Sequence, residues 1–233
     1  MQIIAHRGAS GTAPENTITA FQLALDAGVS GIELDVQMVS GVAVVLHDRW
    51  LQKTTNGMGL TQDIDLAYLQ SLDAGGGQSV PRLGDVLQLI NGSCLVNIEL
   101  KAPDCELAVL AEIEYALAAL NFSVEQFLIS SFNHHSLQKI KQLAPELKLG
   151  ALTANLPLSY AQFATDIQAW SVHCAIDFID QAFVDDAHQR GLQVWVYTVN
   201  QIEDIDAMLK LGVDAIFTDY PSRSIQYLNS ISC

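Results

Sequence analysis

Residues 31–36 read GIELDV, an apolar run interrupted by two carboxylates, Glu33 and Asp35. In an extended strand successive side chains point to opposite faces, so residues i and i+2 share one and these two acids point together. Similar short runs, rich in Val and Ile, recur along the chain at 2–5, 94–100, 127–131, 148–152, 170–174, 193–199 and 215–218. Between them lie segments of helical period at 15–27, 104–120, 134–143, 158–167, 183–190, 201–211 and 222–228, the first with Ile18, Phe21 and Leu25 on one face. Gly28, Gly191 and Gly212 stand just after helices and Pro221 just before one, where helix ends favour them. Eight strand–helix units in one chain of 233 residues predict a (β/α)8 TIM barrel, with a doubly wound open sheet as the structural rival.

Outward from residue 36 the rhythm breaks, because 37–80 is too long for a plain connection. Ser40-Gly41 separates two alternating runs and reads as a hairpin turn, so that 42–46 pairs back on the second strand and returns His47 to the barrel mouth. The rest, with a short helix near 64–72 between 54–59 and 75–77, reads as a small lid. The expected organisation is one barrel domain over 1–233 with an insertion at about 48–80.

Bulk composition narrows the classes of partner. Half the chain is hydrophobic, ample for a large core, and the formal net charge is −15. Such a charge argues against nucleic acid or an anionic membrane held by bulk electrostatics, so any bound anion must be held locally. No apolar run reaches membrane-spanning length and MQIIAHRG lacks the pattern of a leader, which together predict a cytoplasmic protein without membrane insertion. Cys94, Cys105, Cys174 and Cys233 have no metal-site or paired spacing and are expected as free thiols, buried in a reducing compartment.

In a barrel of this kind chemistry collects at the carboxyl ends of the strands. There the sequence places His6 and Arg7, Glu33 and Asp35, then Glu99 and Lys101. Taken singly, a strand-end acid is more often a cap or a solvated rim group, Lys101 a surface charge, and His6 a hydrogen-bonded core histidine. Together, three carboxylates crowded at one mouth repel unless a cation sits between them, and an oxygen-only ligand set favours Mg²⁺, Ca²⁺ or Mn²⁺ over zinc. His6 and His47 can exchange protons near neutral pH, while Arg7 and Lys101 offer positive charge to an anion. A metal, an acid–base pair and anion clamps describe cleavage of a phosphate ester.

The ordered series HRGA-x5-ENT, GIELDV, VVLHD, NIELK, SSF, YTVN and FTDYP resembles the glycerophosphodiester phosphodiesterase family over nearly the whole chain. The resemblance implies a (β/α)8 barrel with an insertion after strand two. It further implies metal-dependent hydrolysis of small glycerophosphodiesters, the deacylated remains of phospholipids, to sn-glycerol 3-phosphate and an alcohol. By matching motifs it makes Glu33, Asp35 and Glu99 the metal ligands, His6 and His47 the acid–base pair, and Arg7 and Lys101 the phosphate contacts. Tyr197 stands where the family commonly has Trp and is expected to line the substrate pocket, with Trp195 on the same face. Lys53 replaces a usual Arg, and Gly84 a frequent acid.

Other residues read more plainly. His134-His135 cannot converge on one ion from a regular helix and is expected at a cap or rim. His173 ends a strand and could line the mouth. Residues 14–17 are expected to fix the first loop and helix start, Glu15 partnering Arg7. Lysophospholipid or glycerophosphoinositol hydrolysis is the nearest alternative. A Mg²⁺ isomerase or lyase with Lys101 as base gives His6, His47 and Arg7 no joint task, and intact acid, base and metal positions speak against a silent binding module.

Overall fold

The computed structural model describes residues 1–231; Cys233, expected as a free thiol, lies outside them. Strand β1 (Gln2–His6) pairs in parallel with both β2 (Gly31–Val39) and β9 (Ala215–Thr218). From β9 the parallel sheet continues through β8 (Gln193–Tyr197), β7 (Ser171–Ala175), β6 (Lys148–Thr153), β5 (Phe127–Ser131) and β4 (Leu95–Leu100) back to β2. The sheet therefore closes on itself as an eight-stranded TIM barrel, and the open-sheet rival is excluded. Strand β3 (Val42–Val45) lies antiparallel outside the ring, registering Val36 with Val45 and Val39 with Val42. Ser40 and Gly41 take φ of 50° and 79°, the double left-handed turn whose twist matches a hairpin.

The helices are α1 (Ile18–Asp26), α2 (Leu66–Ser71), α3 (Leu83–Ile90), α4 (Glu106–Ala119), α5 (His134–Leu143), α6 (Gln162–Asp166), α7 (Gln181–Gln189), α8 (Ile202–Leu211) and α9 (Pro221–Ile231). Two boundaries move for identifiable reasons. Helix α1 begins after 15–17 because Asn16 sits at φ 57° and Thr17 caps, its hydroxyl accepting from the Ala20 N–H. Helix α6 is shorter than 158–167 because Tyr160 sits at φ 46°. The larger correction is α3, to which the periodicity reading assigned no helix. Leu83, Val86, Leu87 and Ile90 are its buried face at helical spacing, and the Asp85 carboxylate accepts from the Arg82 N–H to start it. Gly84 weakens the helical signal, yet a Cβ there would meet Glu112 Oε2 at 2.7 Å, so Glu112 of α4 occupies the space beside it.

Two apolar layers hold the barrel. The outer one packs helices on the sheet and includes Phe21, Leu87, Ile113, Phe127, Leu137 and Phe183. The inner one fills the barrel with Ile4, Leu128, Trp195, Ala215 and Phe217. Residues 48–80 carry α2 and short 3-10 turns, and their Leu51, Leu69, Leu72 and Val80 share a small core with Val39, Val44 and Leu46 of the hairpin.

His173, expected at the mouth, lines it from beneath, as part of the inner layer in the middle of β7. Its ring is wholly buried, stacked on Trp195 with centroids 5.1 Å apart, and Nε2 is 2.9 Å from Ser171 Oγ. Burial pushes its pKa down to about 3, so it is neutral at working pH. Gly150 makes room for it, since a Cβ there would lie 2.4 Å from His173 Cε1. Gly150→Ala should therefore destabilise the fold by about 1–3 kcal/mol through overpacking, read as a lower melting temperature. An unchanged melt would mean that the ring relaxes freely.

Candidate active site

The mouth is built by loops that lock the first strand to the second. After β1 the chain turns through Arg7 at φ 56° and Gly8 at φ 80°. A Cβ at position 8 would come within 2.6 Å of the Ala20 backbone, so only glycine lets this turn lie against α1. The turn aims the Arg7 N–H at Glu33 Oε2 (2.9 Å) and its guanidinium at Glu15 Oε1 (2.9 Å) and Asp35 Oδ2 (3.2 Å). The Glu15 partnership is the one expected from the sequence. Asn16, expected only to help fix the first loop, also donates to Asp35 Oδ2 at 2.9 Å.

Glu33, Asp35 and Glu99 each present a carboxylate oxygen within 4.8 Å of the others, a cluster that can hold a metal ion. They lie deeper than a rim position, with only 2%, 1% and 9% of each residue exposed. Glu33 Oε1 and Asp35 Oδ1 are buried and accept no hydrogen bond among the described residues. An unsatisfied buried carboxylate oxygen is costly, and a hard divalent cation is the partner that an all-oxygen set fits. The electrostatics agree. Burial and the charges of Asp35 and Glu99 hold Glu33 well above the usual carboxylate range, with Arg7 opposing. Burial and Asp35 also raise Glu99, against the pull of Lys101.

Lys101 Nζ sits 2.8 Å from Glu99 Oε1 and 3.8 Å from Asp35 Oδ1. Burial alone would lower its pKa, but those two carboxylates outweigh burial and raise it, so the ammonium stays charged. Arg7 is raised in the same way by Asp35, Glu15 and Glu33 against its own burial.

The hairpin of β2 and β3 delivers His47, whose carbonyl accepts from Gln37 Nε2 at 3.0 Å. Its ring meets Asp48 only at 3.6 Å. Burial, joined by Arg7 and Lys101, lowers its pKa although Asp35 and Asp48 pull the other way. His6 is held differently, with Nδ1 2.7 Å from Asp219 Oδ1. Asp219 is the functional neighbour that the sequence reading passed over, although it lies inside the FTDYP motif.

His6, Arg7, Glu33, His47, Glu99, Lys101 and Tyr197 all line one cavity of about 210 Å³. Its floor includes Asn97, His173 and Phe217, and its wall Phe132, Leu152 and Thr198. Tyr197 donates its hydroxyl to the Thr153 carbonyl at 2.9 Å and meets Phe132 edge to face, so it offers the cavity an aromatic surface. His134 stands apart from the acidic cluster: Asn133 caps α5, and the His134 ring stacks on Phe163 with Nε2 2.9 Å from the Leu152 carbonyl. Cys94, Cys105 and Cys174 are free and buried.

Fold and mouth together define a TIM barrel whose strand ends carry an acidic, metal-competent centre between two histidines. The model of the glycerophosphoryl diester phosphodiesterase family matches residues 6–223, and the chain belongs to that family. It is 39% identical over 237 residues to a glycerophosphodiester phosphodiesterase of Caldanaerobacter subterraneus subsp. tengcongensis, covering 96% of each chain. A second, from Bacillus altitudinis, is 37% identical with 97% of each covered. Among solved structures, an Oleispira antarctica phosphodiesterase in complex with its product sn-glycerol-3-phosphate superposes with a TM-score of 0.90 at 31% identity, covering 98% of this chain and 97% of that one.

Proposed function

We propose that the protein hydrolyses glycerophosphodiesters to sn-glycerol 3-phosphate and an alcohol, with a divalent cation held by Glu33, Asp35 and Glu99. The observation that carries this reading is the convergence on one cavity of Glu33 and Glu99, whose carboxylates cluster with that of Asp35, with two histidines and two cationic side chains. The product in the 31%-identical Oleispira structure and the names of the curated relatives support the substrate class. When bound, the cation, Mg²⁺, Ca²⁺ or Mn²⁺ by its oxygen ligands, supplies positive charge that neutralises phosphoryl oxygens.

The residues of the chain do the rest. Arg7 and Lys101 hold the phosphate, and the aromatic wall of Phe132 and Tyr197 receives the alcohol. His47, kept neutral, takes the proton from the glycerol hydroxyl beside the ester. That oxygen attacks phosphorus, and the bond to the alcohol oxygen breaks as His6 gives it a proton. The cyclic phosphate so formed is opened by water, now deprotonated by His6, while His47 returns its proton to the glycerol oxygen. Among the described residues no helix is long and apolar enough to cross a membrane.

A panel of glycerophosphodiesters assayed with and without divalent cations, with glycerol 3-phosphate measured as product, tests the activity. Release of a different phosphate ester overturns the substrate class. The ion site has a readout of its own in thermal stability. Ligand at a hundredfold its Kd stabilises by about 2.7 kcal/mol, and in a chain of this size 1 kcal/mol is worth roughly 2–4 °C. Saturating Mg²⁺ or Ca²⁺ should raise the melting temperature of the wild type by roughly 5–10 °C on that arithmetic and leave Glu33→Gln nearly unmoved. An equal shift in both would remove Glu33 from the ligand set.

A further inference from the structure

Asp219 follows β9, the strand that closes the barrel against β1, and its carboxylate spans the seam. Oδ1 lies 2.7 Å from His6 Nδ1 and accepts from Ser10 Oγ at 2.9 Å. Oδ2 accepts from Asn200 Nδ2 at 2.6 Å. Asn200 is itself fixed, because its Oδ1 accepts from the Asp219 N–H at 2.9 Å and from Thr218 Oγ1 at 3.2 Å. The group thus cannot rotate without breaking bonds to the chain at the ends of the two strands that flank β9, β1 and β8. Burial would raise its pKa, but the bonds from His6, Asn200 and Ser10 more than offset that and leave it at about 2. It is a carboxylate at any working pH, and a carboxylate only accepts.

An acceptor facing Nδ1 requires the proton to sit there, which leaves Nε2 as the ring nitrogen free for substrate. Among the described residues His47 has no carboxylate so close, since Asp48 stands off at 3.6 Å. We propose that Asp219 is the positioning residue of His6: it fixes the ring with Nδ1 protonated and Nε2 turned to the departing alcohol, and it steadies the imidazolium. The proposal rests on His6 being a proton carrier in the function proposed above, and Asn200 and Ser10 serve it by aiming the carboxylate.

Asp219→Asn offers the test. Its amide nitrogen would meet either Asn200 Nδ2, donor against donor, or His6 Nδ1. The second arrangement favours a bare Nδ1 and places the proton on Nε2. The expected result is a fall in kcat of about 10²–10⁴-fold with KM changed by less than about threefold, the size of effect for a lost general acid or its orienting acid. The ¹⁵N shifts of His6 should report the tautomer change directly. Adding Asn200→Asp in the same chain gives the amide nitrogen at position 219 an acceptor, lets the amide oxygen face His6 again, and should regain at least tenfold in kcat.

His6→Ala is the control that separates the two claims. If His6→Ala is inactive while Asp219→Asn keeps wild-type kcat, the positioning role is wrong and the acid–base reading stands. If His6→Ala itself keeps wild-type kcat, the acid–base reading falls first. Should Asp219→Asn fail to fold, the double variant decides: Nδ1 protonated with kcat above that of His6→Ala supports the proposal. Wild-type kcat with Nε2 protonated, or kcat no higher than that of His6→Ala with Nδ1 protonated, overturns it.

Discussion

A glycerophosphodiester analogue lacking the hydroxyl next to the ester should be cut slower than its parent, by on the order of 10³-fold or more, because it has no internal nucleophile. A well-oriented neighbouring group can be worth about 7–11 kcal/mol over a bimolecular encounter, so even partial loss of that advantage is large. The described residues lining the cavity include no serine or cysteine to stand in, and two histidines suit a route in which the enzyme moves protons and stabilises charge. By the same logic a cyclic glycerophosphate should be accepted and opened. Turnover of the deoxy analogue beside the parent decides the matter. Comparable kcat for both would place water as the first nucleophile, with the histidines and carboxylates keeping their positions but the cyclic intermediate gone.

His6→Ala and His47→Ala should each lower kcat by about 10²–10⁴-fold, the range for one general acid or base. Cation binding, followed by the thermal shift, should change little in either. The two histidines differ in setting, and that predicts an asymmetry with pH. A base works only when deprotonated, so activity falls as pH drops through its pKa. Burial, Arg7 and Lys101 lower that of His47, so the acid limb that depends on His47 should lie below the ordinary histidine value, and activity should persist into mildly acidic solution. An acid limb displaced above that value would contradict the assignment of His47 as the base, and near wild-type kcat in either alanine variant would remove that residue from the pair.

Much of the barrel was legible because its strands are short, largely apolar runs rich in Val and Ile, in which the few polar residues stand out. GIELDV carries both its fold and two of its acids in six residues, and the Ser40-Gly41 turn carries the hairpin that returns His47. Helix α3 was not legible, since a glycine at its second position and a preceding Pro-Arg pair mask the helical spacing of Leu83, Val86, Leu87 and Ile90. Depth was not legible either. Alternation says that Glu33 and Asp35 share a face, but only the closed ring sets how far beneath the surface they lie. His173 reads as a strand-end residue until Gly150, on the neighbouring strand, is seen to admit its ring. Asp219 escaped for a different reason: its partner lies 213 residues away, and no local pattern reports a pairing across a seam.

That seam has a consequence for how the protein is made. The strand bearing His6 emerges from the ribosome 213 residues before Asp219. At about 5–20 residues per second, that is roughly 10–40 s of translation. Throughout this interval β1 has an unpaired edge on the side that β9 will cover, the kind of edge that recruits other chains. The arrival of β9 covers that edge and, if Asp219 positions His6 as proposed, completes the proton-transfer site in the same event. On the role proposed for Asp219, the appearance of activity during synthesis or refolding should serve as a clock for closure.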